Sequence, residues 1–342
     1  MDVDMTPEQE QLAAAEAAWL ERHDPVARLR GLPDDAEMTI DPAAFAHAAE
    51  SGLLALLTPD MGGEHADLAV LTEAHGRAAS SLPIADLAIG SWLMATAEHP
   101  DAASVAEGRV RIGVVRWPEA AVKDGVLHLQ GKSSPVVMPL DVEQILIIGE
   151  HADGEFATSV SSADVRVLKT LDITRSWGRL DLGGPVTDWT ALPTGTVAHA
   201  RDALAVHRAL DSAGAAARLL SMTVNYAGQR EQFGVPIGSF QAVKHHCADM
   251  ALLVEAAQSI CWGAAGALDG DGKDARRTTS AAAAYAKFAA SRVAGLAQQV
   301  HGGIGFTWEH DLHLLLRRIK VNEAFDGTVA AHRASLLADS IS

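Results

Sequence analysis

The chain has 342 residues, 48% of them apolar and 21% charged, with a formal charge of −17 and two cysteines. That is enough apolar sequence for two or three domains with buried cores, and the acidic balance excludes a nucleic-acid face, which needs concentrated basic charge against the phosphates. No stretch reads as the run of about 20 apolar residues that crosses a membrane, and the acidic Met1-Asp2-Val3-Asp4 opening is unlike a secretion signal, so a cytoplasmic chain without a membrane partner is expected.

Residues 5–110 read as helices: the segment from Ala13, then 43–57, 66–79 and 85–97, show helical apolar spacing or high alanine content. Near residue 111 the texture changes. Segments 112–115, 125–129, 143–148 and 163–168 are short, rich in β-branched residues and bounded by turn residues, which predicts a small β domain. After Gly195 long alanine-rich helices return over 202–230, 240–268, 276–300 and 307–321, with 327–337 closing the chain. The expected organisation is mainly α with a central β domain: helical over 1–110, β over 111–195, a helical bundle over 196–342. Gly270-Asp271-Gly272 reads as a surface loop. Cys247 and Cys261 lie 14 positions apart in one helix, about 21 Å at the helical rise, and cannot pair.

Three motifs stand in the C-terminal part. In Gln299-Val300-His301-Gly302-Gly303-Ile304-Gly305, helix-forming sequence stops at a glycine cluster, which offers positive φ or close approach to the backbone. Arg230-Glu231-Gln232-Phe233-Gly234, followed by Pro236 and Gln241, precedes it, and Phe325-Asp326-Gly327-Thr328 follows it. A lone Gly-Gly would be a helix-to-helix turn. The three motifs together closely resemble the flavin-dependent acyl-CoA dehydrogenase family. Thr6-Pro7-Glu8-Gln9, Gly52-Leu53 before Pro59-Asp60-Met61-Gly62-Gly63, and Glu73-Ala74-His75-Gly76-Arg77 before Ser81-Leu82-Pro83 resemble that family's N-terminal helical domain, so the likeness spans nearly the whole chain.

The resemblance implies an N-terminal helical domain, a small middle β-barrel domain and a C-terminal four-helix bundle. It also implies oxidation of an acyl-CoA thioester to the 2-enoyl-CoA, with FAD as cofactor and an electron-transfer flavoprotein as acceptor. The α-proton of a thioester is weakly acidic, so such a site needs a base of suitable pKa and donors that polarise the carbonyl. Asp326 stands where the family's Tyr-Glu-Gly-type motif carries that base, one methylene shorter than glutamate. Arg230, Phe233, Gln241, Gln299, Gly302 and Gly303 match positions that hold the ADP half of FAD bound by a neighbouring subunit. Thr328 matches a contact to the chain's own flavin, and Asp202 and Gly327 match positions on the substrate side. Arg201, Arg208, Arg230, Arg317, Arg318 and Lys320 are candidates to supply local positive charge for CoA. The histidines near the motifs, among them His245, His246, His301, His310 and His313, form neither His-Glu-x-x-His nor a cysteine-rich ligand set, and no metal is expected.

The β domain departs most from the family. Where a Thr-Glu-Pro and Gly-Ser-Asp-type loop normally holds the isoalloxazine, the chain reads Val115-Arg116-Trp117-Pro118-Glu119-Ala120-Ala121. Where a tryptophan lies against the ring, it reads Gly131-Lys132-Ser133-Ser134-Pro135-Val136, and Trp117 reads as a core residue. Neighbour-facing positions are intact while own-site positions are eroded. This asymmetry favours a short subunit of an α2β2 enzyme with a larger paralogue, similar to actinobacterial enzymes that act on steroid side-chain CoA thioesters. A self-sufficient homotetramer with Asp326 as base and a non-catalytic assembly subunit are the competing readings.

Overall fold

The structure, a computed structural model, describes residues 5–32, 38–161, 165–270 and 275–339. Met1–Asp4, positions 163 and 164 of the expected fourth strand and most of the expected loop at Gly270-Asp271-Gly272 lie outside the described residues.

Six helices come first: α1 (Pro7–His23), α2 (Pro25–Arg30), α3 (Pro42–Glu50), α4 (His65–Arg77), α5 (Ile84–Thr96) and α6 (Ala102–Ala106). The start of α1 is a capping box, in which the Gln9 N–H donates to the Thr6 hydroxyl and the Thr6 N–H donates to the Gln9 side chain. The helix expected over 43–57 stops at Glu50, because Gly52 takes φ 72° and turns the chain into a 3₁₀ turn over Leu53–Ala55. The short α2 and α6 have too few turns to show an apolar period, so the sequence pattern misses them.

The β domain has ten strands: β1 (Ile112–Trp117), β2 (Ala120–Lys123), β3 (Val126–Leu129), β4 (Val136–Val137), β5 (Gln144–His151), β6 (Gly154–Ser161), β7 (Val165–Leu168), β8 (Trp177–Leu180), β9 (Gly184–Val186) and β10 (Thr190–Leu192). They form ladders β1-β5-β6-β10, β2-β3-β9 and β4-β8-β7 around a shared core that includes Val115, Trp117, Leu127, Ile145, Ile147 and Phe156. The pairing of β1 with β5 is parallel and the others are antiparallel.

The C-terminal part comprises α7 (Thr196–Gln229), a hairpin of β11 (Glu231–Gln232) and β12 (Val235–Pro236), then α8 (Gln241–Leu268), α9 (Ala275–His301), α10 (Leu312–Ala324) and α11 (Val329–Asp339). The helix expected from residue 307 starts instead at Leu312. Gly302–Phe306 forms a 3₁₀ turn that the Thr307 hydroxyl closes by donating to the Ile304 carbonyl at 2.8 Å. One expectation from composition is corrected: α8 is 28 residues long with a window of mean hydropathy 1.3, long and apolar enough to cross a membrane. Its apolarity is alanine-rich bundle sequence, and Met250, Val254, Ala257, Cys261 and Ala264 are buried at helical spacing where α8 packs on α7 and α9.

The helical domain meets the bundle along α4 and α7. A Cβ at Gly76 would overlap the Asp211 carbonyl and one at Gly214 the Glu73 carbonyl, so the two backbones touch at this crossing. Beside it runs a directional chain of hydrogen bonds. The Thr72 hydroxyl donates to the Leu68 carbonyl, so its oxygen accepts from His207 Nδ1 at 3.1 Å; His207 Nε2 then accepts from His65 Nδ1 at 3.2 Å, and His65 Nε2 from His199 Nε2 at 3.0 Å. Burial holds all three imidazoles neutral, with His65 lowered to about 3. Deeper still, Asp211 accepts from Arg318 at 2.6 and 2.8 Å and pairs with Arg175 at 3.1 Å. Those guanidiniums overcome the effect of burial and hold its carboxyl far below the usual range.

Candidate functional site

The Arg230 motif and the glycine motif meet at one end of the bundle. Tyr226, in the last turn of α7, stacks on His301 at 4.5 Å between centroids, and His301 packs edge-on against His310 at 4.7 Å. His301 is buried and its Nδ1 donates to the Ala297 carbonyl at 2.8 Å, which fixes the ring beneath the turn. Above this aromatic layer the surface is open. Arg230, Gln241, Gln299, Gly302 and Gly303 are all exposed, and Arg230 has no acidic partner among the described residues. Gly302 takes φ 62°, and a Cβ at either Gly302 or Gly303 would meet nothing within 4 Å, so an outside group can reach the backbone there.

The hairpin is strained outward. Phe233 takes φ 53° and Gly234 φ 79° in its turn, and the Phe233 side chain is 93% exposed, touching only Phe240 edge-on at 6.2 Å. A bulky residue in the left-handed region costs of the order of 1–3 kcal/mol. Among the described residues none covers the ring to repay that cost. A guanidinium, an accessible glycine backbone and an aromatic ring on one open surface suit a pyrophosphate-linked nucleotide, so this half-site fits the ADP part of FAD.

The chain's own crevice between β domain and bundle is different. Asp326, at φ 54°, accepts from Arg208 Nε at 3.0 Å and pairs with Arg116 at 3.6 Å, while Arg208 also donates to Asp86 at 2.8 Å. One arginine from β1 and one from α7 thus converge on the carboxylate expected as the base, and a carboxylate from α5 shares the second arginine. Burial alone would raise the Asp326 carboxyl, but Arg208, Arg116 and Lys287 outweigh it and draw it below the ordinary range. A carboxylate held this way is a weak proton acceptor. Lys287, buried in α9 and lowered to about 8 chiefly by that burial, donates to the carbonyls of Phe325 and Gly327 at 2.6 Å each and fixes the loop. Trp177 closes the other side, with its ring centre 4.7 Å from that of Phe325 and 5.0 Å from the Arg208 guanidinium carbon. The space left beside Arg208, His207 and Asp86 is about 10 Å³, about one water. Asp326 is thus already engaged by two guanidiniums, unlike the open half-site.

Other expected residues fall elsewhere. Thr328 is exposed and its hydroxyl accepts from the Ala331 N–H at 3.2 Å, capping α11; Gly327, at φ 90°, lies against the His332 ring. Asp202 is not at a helix start, because α7 begins at Thr196; it is buried and accepts from Arg201 at 2.9 Å. Of the cations expected to serve CoA, Arg208 and Arg318 are buried in ion pairs, Arg201 is spent on Asp202, Lys320 on Glu323 and Ser291, and Arg317 covers the Trp308 ring. Trp117 is a core residue whose Nε1 donates to the Gln130 carbonyl at 3.0 Å. Arg116, Lys287, Asp86 and Trp177 had not been singled out as site residues. Lys287 did leave a signal, a cation on the alanine face of a bundle helix, where only a paired charge is tolerated.

Residues 196–340 match the model of the acyl-CoA dehydrogenase C-terminal domain. The chain is 32% identical to acyl-CoA dehydrogenase IpdE2 of Mycolicibacterium smegmatis over 92% of its length and 93% of that protein's. Its fold is similar to that of a chain of the ChsE4–ChsE5 complex of Mycobacterium tuberculosis, with TM-score 0.89, 23% identity and coverage of 100% and 99% of the two chains. It is also similar to a Tcur3481–Tcur3483 steroid acyl-CoA dehydrogenase variant, with TM-score 0.85, 23% identity and 98% of each chain covered. With the helical, β and helical parts in the same order and its relative matched almost end to end, the chain belongs to the acyl-CoA dehydrogenase family, whose members are FAD-dependent flavoproteins.

Proposed function

We propose that this chain is one subunit of a heteromeric, FAD-dependent acyl-CoA dehydrogenase, to which it lends the ADP-binding side of a flavin site completed by a larger paralogue. The observation that carries this reading is the contrast within one molecule. Arg230, Phe233, Gln241, Gln299 and the Gly302-Gly303 backbone stand exposed, whereas Asp326 is buried and locked between Arg208 and Arg116. In such an assembly the flavin supplies hydride acceptance. This chain's residues bind and orient: Arg230 neutralises pyrophosphate charge, the glycine turn admits close approach, and Phe233 covers the adenine end. The base that removes the α-proton then belongs to the partner. An electron-transfer flavoprotein is the acceptor we expect by family analogy. A steroid side-chain CoA thioester is the substrate class we propose, with support from the similarity to a steroid acyl-CoA dehydrogenase variant.

A self-sufficient homo-oligomer would need Asp326 freed from two guanidiniums. The test is the visible spectrum and native mass of the chain purified alone and after co-expression with a candidate paralogue. A colourless chain that gains one FAD per pair supports the shared site. A yellow homotetramer with one FAD per chain overturns it.

A further inference from the structure

A second cavity, of about 600 Å³, opens where the N-terminal helices meet the bundle and shares no lining residue with the nucleotide half-site or with the Asp326 cluster. The glycine crossing makes it. Because α4 and α7 touch through backbone at Gly76 and Gly214, they part beyond that point, and α1, α2 and α10 wall the wedge without filling it. Its volume lies in the range of about 300–1,000 Å³ usual for small-molecule sites.

The lining is divided in character. Leu20, Val26, Met222, Leu314 and Leu315 give an apolar floor. Of the charges, Arg30 is paired with Asp311, and the Asp24 carboxylate accepts from the Ala27 N–H at 3.1 Å. Arg77 and Arg218 have no carboxylate partner among the described residues. Arg77 reaches only the Ser221 hydroxyl, at 3.3 Å, on the same helix as Arg218 and one turn from it. Glu21, on α1, is the lining carboxylate without a partner, so two free guanidiniums face one free acid. The Ser221 hydroxyl already donates to the Ala217 carbonyl at 3.1 Å, so it is the two exposed guanidiniums, in excess over the single acid Glu21, that are available to take an oxyanion.

We propose that this cleft binds an aliphatic oxyanion, its carboxylate or phosphate head on Arg77 and Arg218 and its hydrocarbon body on the Leu20, Met222 and Leu315 floor. The site is independent of the flavin reading, since it uses none of those residues. The test is calorimetric titration of the purified chain, or of its assembly, with decanoate and with decyl phosphate. Decanol serves as the neutral body and inorganic phosphate as the bare head. Both requirements act together, so either amphiphilic anion should bind about tenfold or more tighter than decanol or free phosphate. Preference between the two anions identifies the head and supports the site in either case. Arg77→Gln with Arg218→Gln should weaken binding by about tenfold or more, and Ala17→Phe, which fills the cleft from its exposed wall, should abolish it with the unfolding temperature retained. No binding of either anion overturns the proposal. So do equal affinity for decanol, and unchanged affinity in both variants.

Discussion

Arg208→Gln is the substitution with the best-defined consequence. The guanidinium is 5% exposed and serves two carboxylates, Asp86 at 2.8 Å and Asp326 at 3.0 Å, while lying on the Trp177 ring. After the change Asp326 keeps Arg116 at 3.6 Å and the nearby Lys287, but Asp86 keeps no cation among the described residues. Breaking a buried pair from one side costs about 3–5 kcal/mol, because the abandoned charge stays buried. At roughly 2 °C per kcal/mol for a large domain, the midpoint should fall by about 6–10 °C in calorimetry at pH 7. The pH dependence supplies the sign. In the native chain the Asp326 carboxyl lies below its unfolded value, so it stabilises above an unfolded pKa of about 3.9 and that contribution is lost as pH falls through the folded pKa. In the variant Asp326 keeps Arg116 and Lys287 but loses its nearest cation, so less of that stabilisation is present at neutral pH and less is lost on acidification. The gap between the two proteins should therefore narrow as pH falls below about 4. Adding Asp86→Asn and Asp326→Asn should restore most of the midpoint. A loss below about 1 kcal/mol, typical of an exposed pair, or a gap that widens with acid, would refute the account of this cluster.

Three further outcomes are expected. His65, neutral and lowered to about 3, must take up a proton on unfolding below its usual value of about 6.5, so it should remove about 2 kcal/mol of stability between pH 7 and pH 5; His65→Phe should flatten that part of a pH–stability curve measured by urea denaturation. Gly214→Ala drives a methyl into the Glu73 carbonyl at the α4–α7 crossing and should destabilise by about 1–3 kcal/mol or more, whereas Gly295→Ala on α9, with nothing within 4 Å, should be neutral or stabilising. In a co-expressed assembly Arg230→Ala should weaken flavin retention by about tenfold, on the scale of one charge-assisted hydrogen bond, with circular dichroism unchanged. Asp326→Asn should leave turnover nearly intact, and near-complete loss with flavin retained would return the base to this chain.

The helices α7, α8 and α9 were legible because alanine-rich sequence with apolar residues at helical spacing has few alternatives. The paired motifs were legible because glycine takes the left-handed backbone at Gly302 without strain and because Arg230 has no reason of its own to precede an exposed phenylalanine. Six of the ten described strands of the β domain were missed. Strands such as β4 and β9 are two and three residues long, and pairing partners far apart in sequence leave no local period. The closure of the crevice was illegible for the same reason: Asp86, Arg116, Arg208 and Asp326 come from four separate elements, and each alone reads as a surface charge.

The open bundle end carries a burden as well as a binding surface. Phe233, Phe306 at 78% and Trp308 at 69% exposure stand in water together with Phe240 and Ile304, an apolar grouping of the kind that drives self-association when left bare. The net charge of −17 opposes such contacts at long range but weakens as salt rises. A cell making this chain in excess over whatever covers that end would accumulate a species prone to clumping or proteolysis. Under the proposed heteromeric reading the two chains would need balanced synthesis, and aggregation of the lone chain that grows with ionic strength would be its outward sign.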